Sequence, residues 1–109
     1  MKWRITYYSE KVFRQIEKLP KPLRARYITL TKRMKSDGPN LGIPHTSAMG
    51  NGLFEIRMKA KVGIARAFYC VQIGNEILVL HSFIKKTQET PKKELGIARK
   101  RLQEVKDNE

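Results

Sequence analysis

Acidic residues are scarce in this chain. Ten Asp and Glu stand against 23 Lys and Arg, a formal net charge of +13 over 109 residues. An excess of that size repels itself in a compact state and draws phosphate-rich partners at long range. The scarcity is sharpest in the middle, where Glu55 and Glu76 are the only acids between Asp37 and Glu89. A single cysteine, Cys70, excludes an internal disulfide and suits a reducing, cytoplasmic setting. Lying in an apolar stretch, it reads as a small core residue rather than a nucleophile. No run approaches the ~20 apolar residues that a membrane-spanning helix needs, and the N-terminus lacks a signal-peptide hydrophobic region. Cys/His clusters at metal-ligand spacing, a nucleophile elbow and a phosphate-cradling glycine loop are all missing. Conventional metal-centred and nucleophile–histidine catalysis is therefore set aside.

What is present fits one α+β domain spanning residues 1–109. Residues 2–8 alternate, with Trp3, Ile5 and Tyr7 on one side, and predict a strand with one buried face. Ser9 offers a helix N-cap, followed by Val12, Phe13, Ile16 and Leu19 at helical spacing until Pro20. Pro22 is placed to open a second helix whose apolar stripe is Leu23, Tyr27, Leu30 and Met34, stopped by Gly38-Pro39. The two helices form a hairpin. Residues 39–52 are polar and rich in turn formers, which predicts a loop. Three strands follow at about 53–60, 63–72 and 76–84, the last apolar on both faces. Thr90 can cap a final helix that has Pro91 at its first position and Leu95, Ala98, Leu102 and Val105 as its stripe. The predicted order is β-α-α-β-β-β-α, with the helical hairpin on a mostly antiparallel sheet.

Cations set into these strands are the candidates for function. Alternation places Glu55, Arg57 and Lys59 on the face opposite Phe54, Ile56 and Met58; with the apolar set on the helices, Arg57 and Lys59 point into the concave side of the sheet. Arg66 shares a face with Ile64, Phe68 and Cys70, and Lys85-Lys86 closes the last strand. A buried sheet face tolerates cations only beside an anion, and the chain offers few. The anion is then a ligand, a phosphate held by guanidinium groups. Basic residues of the final helix, including Arg99, Lys100 and Arg101, read as a solvated face. His81, taken to share its strand face with Val79 and Phe83, reads first as a satisfied core or rim histidine, with general acid or base as the alternative. His45 lies in the loop. RNA cleavage is chemically open to cations alone, because the ribose 2′-hydroxyl is a built-in nucleophile. The protein need only align it and stabilise the developing phosphorane charge. A lysine crowded by like charges can also accept the hydroxyl proton.

The runs Gly52-Leu53-Phe54-Glu55-Ile56-Arg57, Gly63-Ile64-Ala65-Arg66-Ala67-Phe68-Tyr69 and Phe83-Ile84-Lys85-Lys86-Thr87-Gln88-Glu89-Thr90-Pro91 resemble the phage-derived HigB-like branch of the RelE/ParE toxin superfamily. The last run is the most specific, and the match covers nearly the whole chain. The resemblance implies the toxin of a type II toxin–antitoxin system, which enters the ribosomal A site and cleaves messenger RNA without metal or organic cofactor. It implies that Arg57, Arg66 and Lys86 carry the catalysis, with Lys59 and Lys85 as additions. Members of the superfamily often place a tyrosine or histidine near the C-terminal end. This chain has neither from Thr90 on, so the role is unfilled or falls to His81 or Tyr69. The implied partners are the ribosome, messenger RNA and a HigA-like antitoxin with a helix-turn-helix domain. Two other readings compete: a ParE-like inhibitor of DNA gyrase, and a non-catalytic nucleic-acid-binding module. A basic cluster at Arg57, Arg66 and Lys86 is needed by a nuclease and not by a gyrase binder.

Overall fold

A computed structural model describes residues 2–85 and 91–108. The alternating N-terminus forms β1 (Arg4–Tyr7), with Trp3, Ile5 and Tyr7 turned toward the main core. Ser9 then caps α1 (Glu10–Glu17), its Oγ accepting the Val12 N–H at 3.3 Å. Val12 and Ile16 are buried one turn apart. After Pro20, α2 (Lys21–Asp37) carries Pro22 in its first turn, where the missing N–H costs nothing. Leu23, Tyr27, Leu30 and Met34 bury the predicted stripe. The helix stops at Gly38, whose φ of +110° suits glycine and whose N–H reaches the Met34 carbonyl at 3.0 Å.

Four further strands and one helix follow: β2 (Thr46–Gly50), β3 (Leu53–Ala60), β4 (Gly63–Gln72), β5 (Glu76–Lys85) and α3 (Lys92–Asp107). They build a five-stranded sheet in the order β1-β5-β4-β3-β2, antiparallel except where β1 runs parallel to β5. The α+β class, the helical hairpin, the mostly antiparallel sheet and the C-terminal helix all agree with the expectation. β2 is the difference, since it lies inside the stretch read as loop. Thr-Ser-Ala-Met has little apolar alternation, and its strand conformation comes from pairing with β3. A local signal did exist, because Asn51-Gly52 is a strong hairpin dipeptide and both residues have positive φ, +56° and +85°. Thr90 lies outside the described residues, and Pro91 stands at the N-cap of α3 rather than at its first position.

The sheet has an apolar layer on each face. On the hairpin side Val12, Ile16, Leu23, Tyr27, Leu30 and Met34 pack with Ile56, Met58, Ala65, Ala67, Tyr69, Ile77 and Val79. On the other side Ala98 and Leu102 of α3 cover Leu53, Phe68, Cys70, Leu78 and Leu80. A bulge in β5 re-aims its side chains. Phe68 faces His81 but Tyr69 faces Val79, so Leu80 is the extra residue. Leu80 and His81 therefore both turn toward α3, while Val79 belongs to the hairpin side. The expected common face of His81 with Val79 is thus corrected; strict alternation fails across a bulge, and a bulge is made by pairing rather than by local pattern.

Candidate nucleic-acid site

Strand pairing lines up the basic residues in rows across β3, β4 and β5. Lys59, Ile64 and Lys85 form one row; Arg57, Arg66 and Phe83 the next; Glu55, Phe68 and His81 the third. Side chains along one row share a face, so Arg57, Lys59, Arg66 and Lys85 do come together on the side away from the helical hairpin. Lys86 lies outside the described residues.

Arg66 has a protein anion after all. Its Nη1 donates to Glu55 Oε1, one row over on the neighbouring strand, and the pair is nearly sequestered, with side chains 14% and 4% exposed. Glu76, the other acid of the central stretch, pairs with Arg4 at 3.4 Å and accepts the Thr6 hydroxyl at 2.8 Å, tying β1 to β5. The expectation that the strand arginines lack an internal anion is therefore corrected for Arg66. Alternation gave Glu55 the face of Arg57, but only the register of β3 against β4 brings it to Arg66. Polar capacity remains all the same: Glu55 Oε2, Arg66 Nε and Arg57 Nε are buried with no hydrogen-bond partner among the described residues. Such groups are costly unless something polar meets them.

The loop before β2 forms one wall. Thr46, 2% exposed, accepts the Gly42 N–H at 2.9 Å and donates to Asn40 at 2.9 Å. The His45 N–H reaches the Gly42 carbonyl at 3.0 Å, and the His45 carbonyl accepts the Arg57 N–H at 2.8 Å. Two adjoining cavities result. One, about 180 Å³, is lined by Ile43, Pro44, His45, Thr46, Ser47, Glu55, Arg57 and Arg66. The other, about 220 Å³, is lined by Arg26 of α2 with Pro44, His45, Arg57 and Lys59. Arg57 and His45 border both. Sequence reasoning did not include His45, Ser47, Arg26 or Glu55 in the site. Glu55 was legible from its alternation with Arg57; the others are brought in by the loop and by α2, for which no local signal exists.

One candidate moves away from the site, and another stays beside it. Tyr69 is fully buried on the hairpin side, stacked on Phe54 at 5.5 Å, with its hydroxyl donating to the Pro39 carbonyl at 2.5 Å. Burial pushes its pKa up to about 12. It holds the loop that carries His45, and as a catalytic or RNA-binding group it is corrected, because alternation on β4 sends 66 and 69 to opposite faces. His81 stays on the site face, one row from Arg66. Its Nε2 is 2.8 Å from Glu94 Oε1 of α3, and its ring stacks on Phe83 at 6.1 Å. With 5% exposure it latches α3 to the sheet through Nε2, while its Nδ1 is buried with no hydrogen-bond partner among the described residues.

The helix cations depart furthest from expectation. Arg99 donates to the carbonyls of Met49 and Gly50 at 2.6 and 2.9 Å, and Lys106 to that of Asn51 at 2.9 Å. Arg101 donates to the Leu80 carbonyl, at the bulge, at 2.7 Å and lies 4.8 Å from the centre of the Tyr8 ring. Tyr8 in turn donates to Glu104. Arg99 and Arg101 are thus fasteners rather than a solvated face.

The profile of the phage-derived protein Gp49-like family (DUF891) matches residues 14–103. No curated protein matches the chain. Among solved structures, the fold is similar to the YoeB–YefM complex from Staphylococcus aureus, at a TM-score of 0.56 and 19% identity, covering 75% of this chain and 95% of that one. It is similar also to the archaeal RelE–RelB complex from Pyrococcus horikoshii OT3, at a TM-score of 0.52 and 17% identity, covering 79% and 98%. At such identities the likeness is one of fold.

Proposed function

The chain belongs to the phage-derived Gp49-like family, and on that premise we propose that it is a RelE/ParE-like toxin of a type II toxin–antitoxin system. In this reading it is a ribosome-dependent endoribonuclease that cuts messenger RNA in the cytoplasm and is silenced by a HigA-like, helix-turn-helix antitoxin. The observation that carries the reading is the cleft at Arg57. A half-buried arginine with an unpartnered Nε borders two cavities, one of which also holds the Arg66–Glu55 pair.

In this reading the ribosome presents the message, and the chemistry draws on the chain's side chains and the RNA's own 2′-hydroxyl. The 2′-oxygen attacks the adjacent phosphorus, a 2′-O–P bond forms and the P–O5′ bond breaks. The products are a 2′,3′-cyclic phosphate and a 5′-hydroxyl. Arg57 and Arg66 supply donors to the phosphorane oxygens, where charge develops. The carboxylate of Glu55 and the imidazole of His45 are the groups beside them able to take the 2′ proton and return one to the leaving oxygen. Lys59 and Lys85, and Lys86 by its motif, add attraction for the RNA backbone.

Expression from a tight promoter with mapping of messenger 5′ ends tests this, alongside an Arg57→Ala variant. Cuts inside translated codons that vanish in the variant support the reading. Growth arrest with intact messages and DNA damage would overturn it in favour of gyrase inhibition.

A further inference from the structure

The two cavities at Arg57 differ in chemistry. The one beside Glu55 mixes an acid, hydroxyls and arginines; the one beside Lys59 has, among the described residues, Arg26, His45, Arg57 and Lys59 as its polar lining and no acid. Arg26 comes from the N-terminal half of α2, the helix packed on the opposite face of the sheet, and lines this cavity together with the strand cations and Pro44 of the loop. Three cations, Arg26, Arg57 and Lys59, around about 220 Å³ repel one another unless an anion joins them. The buried, unpartnered Nε of Arg57 is a second, independent sign that a polar group is missing from its surroundings.

We infer that the Arg26–His45–Arg57–Lys59 cavity is a binding subsite for a backbone phosphate of single-stranded RNA, adjacent to the chamber that holds Glu55 and Arg66. The inference deepens the proposed function and rests on RNA being the ligand. Guanidinium groups from α2 and β3 can hold a phosphate through paired N–H donors, with Lys59 as a point charge at the mouth. Because the two cavities share Arg57 and His45, a chain seated in one places its neighbouring phosphodiester at the other. Arg26 then sets the register of the RNA without touching the reacting atoms, which makes it a positioning residue.

The experiment uses the full chain and a fully 2′-O-methylated, 5′-labelled hexaribonucleotide, which cannot be cleaved, with affinity followed by fluorescence anisotropy over a range of salt. Arg26→Ala should weaken binding by about 5- to 20-fold and lower the salt slope by about 0.7, the value for one phosphate contact on a single strand. Lys21→Ala, which removes an equal charge from the exposed start of the same helix, should change affinity less than about 2-fold by loss of long-range attraction alone. Arg26→Lys should keep the slope and lose part of the affinity. Equal effects of Arg26→Ala and Lys21→Ala overturn the subsite, as does wild-type protein that does not bind the probe. Arg26 is exposed on α2, so its loss leaves the core intact. Messenger mapping with wild-type protein is a separate readout, so cleavage with an unaffected Arg26→Ala sinks the subsite and leaves the nuclease standing.

Discussion

Arg57 on β3 and Arg101 on α3 are both half-buried arginines beside the same sheet face, yet their surroundings differ in kind. Arg101 lies 4.8 Å from the Tyr8 ring centre and donates to the carbonyl of Leu80, a backbone group at the β5 bulge. Arg57 has its backbone N–H engaged by His45, while its Nε is buried, between two cavities, with no partner among the described residues. Arg99 and Lys106 follow Arg101, each closing on carbonyls of the β2–β3 turn. Cationic charge in this protein is therefore divided into fasteners, which satisfy backbone oxygens, and donors with capacity left over. Net charge cannot distinguish them; the partner inventory does.

The largest break in that comparison comes from Glu55, which makes Arg66 partly a fastener. Glu55→Ala should cost about 3–5 kcal/mol, because it strands a nearly buried guanidinium, and urea unfolding measures it. The double variant Glu55→Ala, Arg66→Met should recover much of that loss, since a pair removed together leaves no unpaired charge. Arg57→Ala should lower ribosome-dependent cleavage by about 10²-fold while leaving the melting temperature close to wild type, the mark of a donor rather than a fastener. Arg101→Ala should do the reverse, with a stability loss of about 1–3 kcal/mol and cleavage retained. High pH sharpens the structural reading of Tyr69. Its folded pKa of about 12 exceeds the ordinary tyrosine value of 10, so its contribution is complete below pH 10 and is lost as pH rises toward 12. That loss should be on the order of 1.4 kcal/mol per pH unit, and Tyr69→Phe should remove its share of the alkaline phenolate absorbance step. Smallest of all, Lys106→Ala should cost under about 1 kcal/mol, because its contact with Asn51 is exposed.

Much of this was readable along the chain. The stripes Leu23-Tyr27-Leu30-Met34 and Leu95-Ala98-Leu102-Val105 needed only helical period, and each packs as its spacing says. The alternation of β3 likewise sent Ile56 and Met58 to the core and Arg57 and Lys59 to the other face. What escaped involves partners distant in sequence. Glu55 meets Arg66 across 11 residues, Arg99 meets Met49 across 50, and Arg26 shares a cavity with Lys59 only because α2 passes the sheet rim. The extra residue in β5 was equally hidden, since nothing in Val79-Leu80-His81 marks which one the partner strand will skip.

The sequence by itself determined the α+β class, the apolar faces, the excess of cations and the strands that carry them, because periodicity and composition act locally. Tertiary structure alone decided which cations were satisfied and which were left with donors to offer. A charge is quenched or exposed by the groups that folding places around it, and for Arg57, Arg66 and Arg101 those groups come from other strands, another helix and a loop.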